Sequence, residues 1–297
     1  MASSLGRNWR SLWDQKITGA EFRFRLALAR VPYIPVPLRL RISLNERIDF
    51  YWSYVVPFHD ANRRFFDYWG HDLSELRFLW RILKSGMTFF DIGSFHGIYA
   101  LVAARRLGRQ GRVVAFEPSP VQRRRLKLHL RMNGFRSVRV ESCAVGVDNA
   151  TSEFFAIVDG DMTRGGLRPP ASPDTVRSLP VEVVSLDQYV LENSMHGVDV
   201  IKLDVEGAEL DVFRGATRVL TKMRPTILCE ILDLATRAWG YEAREIIDML
   251  ERYDFAWFEF GPDGTLMPHQ IQARYSEVRN YLAVPRERCE SGVPFLE

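Results

Sequence analysis

The sequence is poor in cysteine. Cys143, Cys229 and Cys289 are far apart, and none belongs to a Cys-x-x-Cys pair. An odd, scattered set excludes a disulfide framework and fits a reducing, cytoplasmic setting. No apolar run reaches the roughly 18 residues of a spanning helix, so a soluble protein is expected. Net charge is slight: 40 Lys and Arg against 37 Asp and Glu leave +3, too little to argue for a nucleic-acid partner. Internal repeats and low-complexity tracts are absent, as is the Gly-x-Gly-x-x-Gly run of dinucleotide folds. What remains is 297 residues of ordinary globular composition, 46% hydrophobic and 26% charged. That is enough chain for one large α/β domain with an extension.

The extension is expected at residues 1–71 and the main domain at 72–297. Residues 1–42 carry Arg7, Arg10, Lys16, Arg23, Arg25, Arg30, Arg39 and Arg41 against only Asp14 and Glu21, with Trp9, Trp13, Phe22 and Phe24 among them. No apolar stretch follows the basic residues, so a secretory signal fails. A helical arm packed on its own core is favoured over a helix lying on a membrane surface, though the composition admits both. Pro32, Pro35 and Pro37 break the helix. Residues 38–42 alternate as a strand, and 47–52 can pair with them in a hairpin. The aromatics from Phe58 to Trp69 read as a small core that joins the arm to the domain.

Asp72, with Glu75 three residues on, opens a helix whose Leu76, Leu79, Trp80 and Leu83 share a face. The domain's organising stretch follows, Thr88-Phe-Phe-Asp-Ile-Gly-Ser-Phe-His-Gly-Ile-Tyr-Ala100. An apolar strand ends on Asp91, a loop carries Gly93, Ser94 and Gly97, and an apolar-periodic helix begins at once. This is the local shape of a nucleotide-binding βα unit. A second strand, 112–116, ends on Glu117, one βα unit downstream, where an acid can accept hydrogen bonds from ribose hydroxyls. The basic helix 121–132 reads as a solvated face. A third strand near Val138 leads to Ser142, Cys143 and Ala144, small residues that suit the flat face of an adenine ring. Residues 151–157 form a strand, and 159–180 a long loop of the functional kind.

The second strong signal is Val198-Asp-Val-Ile-Lys-Leu-Asp204, followed by Glu206 and Glu209 at a strand-to-helix turn. Further strands are expected at 226–230, 255–260 and 281–284, with a helix at 241–253. Asp91, Glu117, Asp204 and Glu230 thus stand at strand tips, and in an open parallel sheet these tips share one edge. An acidic edge opposes a pyrophosphate and suits S-adenosylmethionine, which has a ribose, an adenine and two cationic groups. The cofactor set is Asp91, Gly93, Ser94, Gly97, Glu117, Ser142, Cys143, Ala144 and Asp204.

Asp91-Ile-Gly-Ser-Phe-His-Gly, Val114-Ala-Phe-Glu-Pro, Ala144-Val-Gly, Val183-Val-Ser-Leu-Asp187 and Ile201-Lys-Leu-Asp-Val-Glu-Gly-Ala-Glu209 together resemble the FkbM family of methyltransferases, over roughly residues 72–285. The resemblance implies a Rossmann-like class I methyltransferase fold: a mostly parallel seven-stranded sheet with helices on both faces. It implies S-adenosylmethionine as methyl donor and a hydroxyl of a sugar, glycolipid or natural product as acceptor. His96 stands where this family commonly has a small or amide residue, and Ile231 where a His is usual.

Methyl transfer to oxygen needs alignment, and a base to take the hydroxyl proton. His96, Asp204 and Glu206 are the candidates. Asp204, Glu230 and Asp233 carry oxygen ligands suited to Mg²⁺, but no metal ligand is assigned. Two rival functions are a nicotinamide-dependent oxidoreductase and a catalytically silent S-adenosylmethionine-binding module.

Overall fold

The computed structural model describes residues 36–43, 47–54, 74–159, 164–170, 175–261 and 264–290. The expected arm of residues 1–35, the aromatics from Phe58 to Trp69 and the Asp72 cap lie outside the described residues. The hairpin is present: β1 (Val36–Ser43) pairs antiparallel with β2 (Arg47–Tyr54) from Val36↔Tyr54 to Ser43↔Arg47.

The main unit then runs α1 (residues 74–82), β3 (Thr88–Ile92), α2 (Ile98–Leu107), β4 (Arg112–Phe116), α3 (Pro120–Met132), β5 (Arg139–Glu141) and β6 (Ala144–Val145). Next come β7 (Ala150–Asp159), β8 (Thr175–Val184), α4 (Leu186–Glu192), β9 (Val200–Leu203), α5 (Glu209–Arg214) and β10 (Thr226–Glu230). Last are α6 (Asp233–Thr236), α7 (Arg244–Arg252), β11 (Phe255–Phe260), β12 (Leu266–Pro268), β13 (Asn280–Pro285) and α8 (Arg286–Glu290).

The principal sheet has the order β12-β11-β13-β10-β9-β3-β4-β5. β5, β4, β3, β9 and β10 are parallel neighbours, and β13 inserts antiparallel between β10 and β11. Eight strands stand where seven are expected. The extra one, β12, pairs antiparallel with the outer edge of β11, and three residues are too few for alternation to reveal them.

Strand residues alternate between two cores, which explains the unbroken apolar runs. Phe90, Ile92, Val114, Phe116 and Leu203 pack on one face with Leu210, Phe213, Ile246 and Leu250 from the helices after β9 and β10. Phe89, Val113 and Ala115 pack on the other with Leu79, Leu101 and Leu126 from α1, α2 and α3.

The chain from 144 to 184 corrects another expectation. β7 and β8 are ten-residue strands of a separate sheet ordered β6-β8-β7, so the two ends of the expected loop 159–180, residues 159 and 175–180, are strand. Pro180 hid this. It is tolerated because β6 pairs β8 only at Val183 and Val184, leaving Pro180 with β7 alone beside it.

Candidate functional site

Register places the chemistry. Ile92 pairs with Phe116 on one side and Leu203 on the other, so Gly93, Glu117 and Asp204 follow at one level. Cys229 pairs with Leu203, which brings Glu230 to the same edge. The four strand tips named from the sequence are therefore brought together.

The loop after β3 is tied down on both sides. Gly93 and Ser94 N–H groups donate to the Phe116 carbonyl at 3.1 and 3.0 Å, and Asp204 N–H donates to the Ile92 carbonyl at 3.1 Å. Gly93 has φ +77°, and a Cβ there would meet the Asp204 carbonyl oxygen. Only glycine fits that approach. Asp91 is buried and turns its Oδ2 to the Ala100 N–H at 3.0 Å, inside the first turn of α2. Burial pushes its carboxyl up to about 7, against the pull of Lys202. Ser94 donates its hydroxyl back to the Asp91 carbonyl at 2.7 Å.

Glu117 spans the loop and the next helix. Its Oε2 accepts the Phe95 N–H at 2.7 Å and its Oε1 the Ser119 N–H at 2.8 Å. Phe95 has φ +48°, and the bond to Glu117 helps hold that conformation. Burial pushes the Glu117 carboxyl up to about 8. Its lone pairs exceed these two bonds, so acceptor capacity remains for a ligand. Helix α3 is capped by Ser119, whose Oγ accepts the Gln122 N–H at 3.4 Å.

At the third strand end, Ser142 is exposed while Cys143 and Ala144 are buried in two different cores. Burial and the nearby Glu141 raise the Cys143 thiol to about 11, which makes it a packing residue rather than a nucleophile.

His96 is buried against α3. Its Nε2 is 2.8 Å from Gln122 Oε1, and its ring stacks on Phe95 at 3.8 Å between centroids. His129 Nδ1 donates to the His96 carbonyl at 2.8 Å. Burial, then the charges of Arg125 and His129, lower its pKa well below the usual imidazole value. These contacts describe a neutral, packed ring that fixes the loop to α3.

Asp204 and Glu206 sit on the turn after β9. Asp204 is 35% exposed and bonds through Oδ2 to the buried Lys202 Nζ at 3.1 Å. Glu206 has φ +55° and Gly207 φ +94°. A Cβ on Gly207 would stand 2.4 Å from the Ala235 carbonyl and 2.6 Å from Trp239 Cδ1. Trp239 Nε1 donates to the Glu206 carbonyl at 3.2 Å, and Tyr241 OH to the Gly207 carbonyl at 2.6 Å. Glu209 folds back, its Oε1 accepting from Val205 and Gly207 N–H groups at 3.0 and 3.4 Å. Residues 164–168 lie between β7 and this turn: Gly166 bridges to Phe155, a Cβ on Gly166 would stand 3.5 Å from Glu206 Cβ, and the Arg168 guanidinium lies 5.2 Å over the Trp239 ring.

Asp233 is spent on structure. Its oxygens accept the Ala243 and Tyr275 N–H groups at 3.0 and 2.7 Å. Among the described residues no group of three or more His, Cys, Asp or Glu is placed to hold a metal ion.

Sequence reasoning missed Lys202, Tyr99, Asn280, Trp239 and Tyr241. A signal existed for Lys202: a lysine inside an apolar strand is rarely buried without partners.

Residues 91–256 match the family profile described as the Methyltransferase FkbM domain. The chain belongs to that family. It is 28% identical over 200 residues to the 2-O-methyltransferase NoeI of Sinorhizobium fredii (strain NBRC 101917 / NGR234), covering 62% of this chain and 79% of NoeI. It is 28% identical over 210 residues to the AMB antimetabolite synthetase AmbE of Pseudomonas aeruginosa (strain PAO1). That match covers 59% of this chain and spans only 10% of AmbE. The crystal structure of Methyltransferase FkbM from Methylobacillus flagellatus KT is 16% identical with a TM-score of 0.43, over 67% of this chain and 43% of that one. Among the described residues no helix is long and apolar enough to cross a membrane.

Proposed function

We propose that this FkbM-family chain is an S-adenosylmethionine-dependent O-methyltransferase whose acceptor is a free hydroxyl on a sugar, a glycolipid or another natural product. The observation that carries the reading is a charge imbalance. Among the described residues Glu75, Asp91, Glu117, Glu209 and Glu230 are buried, and Lys202 is the buried lysine or arginine set against them. Buried carboxyls are costly unless cations or hydrogen bonds meet them. Without ligand, backbone N–H groups and retained protons meet most of that cost; a ligand with a sulfonium and an ammonium favours the ionised carboxylates, whereas a pyrophosphate opposes them.

In this reading Glu117 accepts the ribose hydroxyls, and the Gly93 backbone lets the ligand approach the sheet edge. Asp91 holds the loop in shape from beneath α2. S-adenosylmethionine, when bound, supplies a methyl group already activated for displacement. The chain's own work is to align the acceptor hydroxyl and to receive its proton. Asp204 and Glu206, on the half-exposed turn, are favoured for those tasks over the neutral, packed His96. The name of NoeI, a 2-O-methyltransferase, supports an oxygen acceptor. Three free cysteines support a reducing cytoplasm.

Calorimetric titration with S-adenosylmethionine and with NAD tests the cofactor. Binding of the first and not the second is expected, and the reverse sinks the reading. Asp204→Asn is expected to lower kcat about 10²–10⁴-fold, the range for a lost general base, in a radiolabelled methyl-transfer assay over hydroxylated acceptors.

A further inference from the structure

Lys202 points from β9 into a buried polar cluster. Its ammonium bonds Asp204 Oδ2 at 3.1 Å, Asn280 Oδ1 at 2.9 Å and the Leu203 carbonyl at 3.4 Å, which uses all three protons. The same nitrogen lies 5.2 Å from the centroid of the Tyr99 ring. Asn280 in turn donates Nδ2 to Glu75 Oε2 at 2.9 Å, and Tyr99 OH donates to that same oxygen at 2.6 Å. A chain of contacts therefore runs from α1, through α2 and β13, to the tip of β9. Glu75 and Asn280 both lie outside the matched segment 91–256.

With every proton engaged, Lys202 has none to give and no lone pair to offer. What it does is fix one carboxylate oxygen and leave the other. We propose that Lys202 is a positioning residue: it grips Oδ2 of Asp204 and presents Oδ1 to the reactants, while Glu75 and Asn280 hold Lys202 in place. This rests on the reading that the strand tips bind S-adenosylmethionine.

The groups that face Lys202 are Glu75 from α1, Asp91 from β3, Tyr99 from α2, Asp204 beyond β9, Cys229 and Glu230 from β10, and Asn280 from β13. Burial alone would lower the lysine's pKa, but Asp204, Glu75 and Glu230 outweigh it and raise it. The lysine thus stays charged across the working range. Its loss would let Glu75, Asp91 and Glu230 hold protons to higher pH, because its charge pulls each of them down. The protons these carboxyls keep would offset the lost positive charge near neutrality; as pH rises they leave, and the site becomes more negative than in the wild type, which offsets the lost grip on Asp204 for a cationic ligand.

The test measures the Kd of S-adenosylmethionine from pH 6.5 to 9 for the full chain and for Lys202→Met, Lys202→Arg and Asn280→Ala. Lys202→Met is expected to bind about tenfold more weakly at pH 6.5, a loss of about 1.4 kcal/mol, with the gap closing toward pH 9. Lys202→Arg keeps the charge and is expected to restore most of the affinity, and Asn280→Ala to show a smaller loss of the same sign. The double variant Lys202→Met/Asp204→Asn should lose less than the sum of the two single losses, since one residue acts through the other. A pH profile parallel to the wild type overturns the proposal. If Lys202→Met does not fold, the Asn280→Ala and Lys202→Arg profiles decide it. Absence of binding by the wild type at every pH sinks the cofactor reading, and this proposal with it.

Discussion

A Cβ at position 93 would stand 1.8 Å from the carbonyl oxygen of Asp204. The first loop and the end of β9 are thus in backbone contact, and the two strongest sequence signals meet at one point. Gly93→Ala must break that contact and adopt φ +77° as well. A stability loss of about 2–5 kcal/mol is expected, from left-handed strain plus overpacking, with cofactor binding lost in parallel. Urea unfolding and calorimetry measure the two effects. Unchanged stability would show that the loop can lift away from β9.

Glu117 serves two backbone N–H groups at once. Glu117→Ala leaves the Phe95 and Ser119 donors without it and is expected to cost about 1–3 kcal/mol of stability per unsatisfied group. Glu117→Gln keeps one acceptor oxygen and should cost less stability. Above pH 8, where the wild-type carboxyl is ionised, it should still weaken S-adenosylmethionine by about tenfold, roughly one charge-assisted hydrogen bond. Equal affinity in wild type and Glu117→Gln would remove the ribose assignment.

The buried carboxyls give the protein a pH signature. Asp91, Glu117 and Glu209 move from 3.8, 4.5 and 4.5 to about 7, about 8 and about 7, chiefly through burial. The folded state therefore binds these protons more tightly than the unfolded chain. Stability falls as pH rises through the folded values. His96 works the other way: its pKa is lowered from 6.5, so its contribution fades as pH falls below 6.5. Without ligand, the thermal midpoint should drop between pH 6.5 and 8.5. Saturating S-adenosylmethionine should reduce that drop, because a cation favours the ionised carboxylates. Midpoints by scanning calorimetry at three pH values check both statements, and a rising midpoint would contradict them.

The turn at Glu206 is braced by Trp239 and overhung by Arg168. Trp239→Phe removes the N–H that the Glu206 carbonyl accepts, and Arg168→Ala removes the cover over the indole. Both are expected to raise the acceptor KM about fivefold or more while leaving S-adenosylmethionine affinity within about twofold, the pattern of lost acceptor binding. Equal loss of both affinities would place these residues in the cofactor site instead.

The parallel core was legible because β3, β4, β9 and β10 are apolar and buried almost throughout, and Asp91, Glu117, Asp204 and Glu230 stand at or next to their C-terminal ends. Phe255–Phe260 and Thr226–Glu230 have the limits expected from the sequence. β8 was half hidden behind Pro180, whose meaning depends on whether a second strand lies beside it. The candidate site divided along similar lines. Asp91, Glu117 and Asp204 are found by counting strand ends. The roles of Lys202, Glu75 and Asn280 depend on contacts up to 205 residues apart in sequence, which no local pattern encodes. His96 looked chemical in its loop, and only the packing of α3 shows that its ring is enclosed.

β13 enters between β10 and β11, and it carries the asparagine that holds Lys202. A ribosome therefore releases β10 well before its antiparallel neighbour exists. At about 5–20 residues per second, the apolar strand Thr226–Glu230 waits several seconds with one row of N–H and C=O groups open, a hazard for pairing with other chains. Closure of the sheet and the Asn280 contact that holds Lys202 thus both await the same strand.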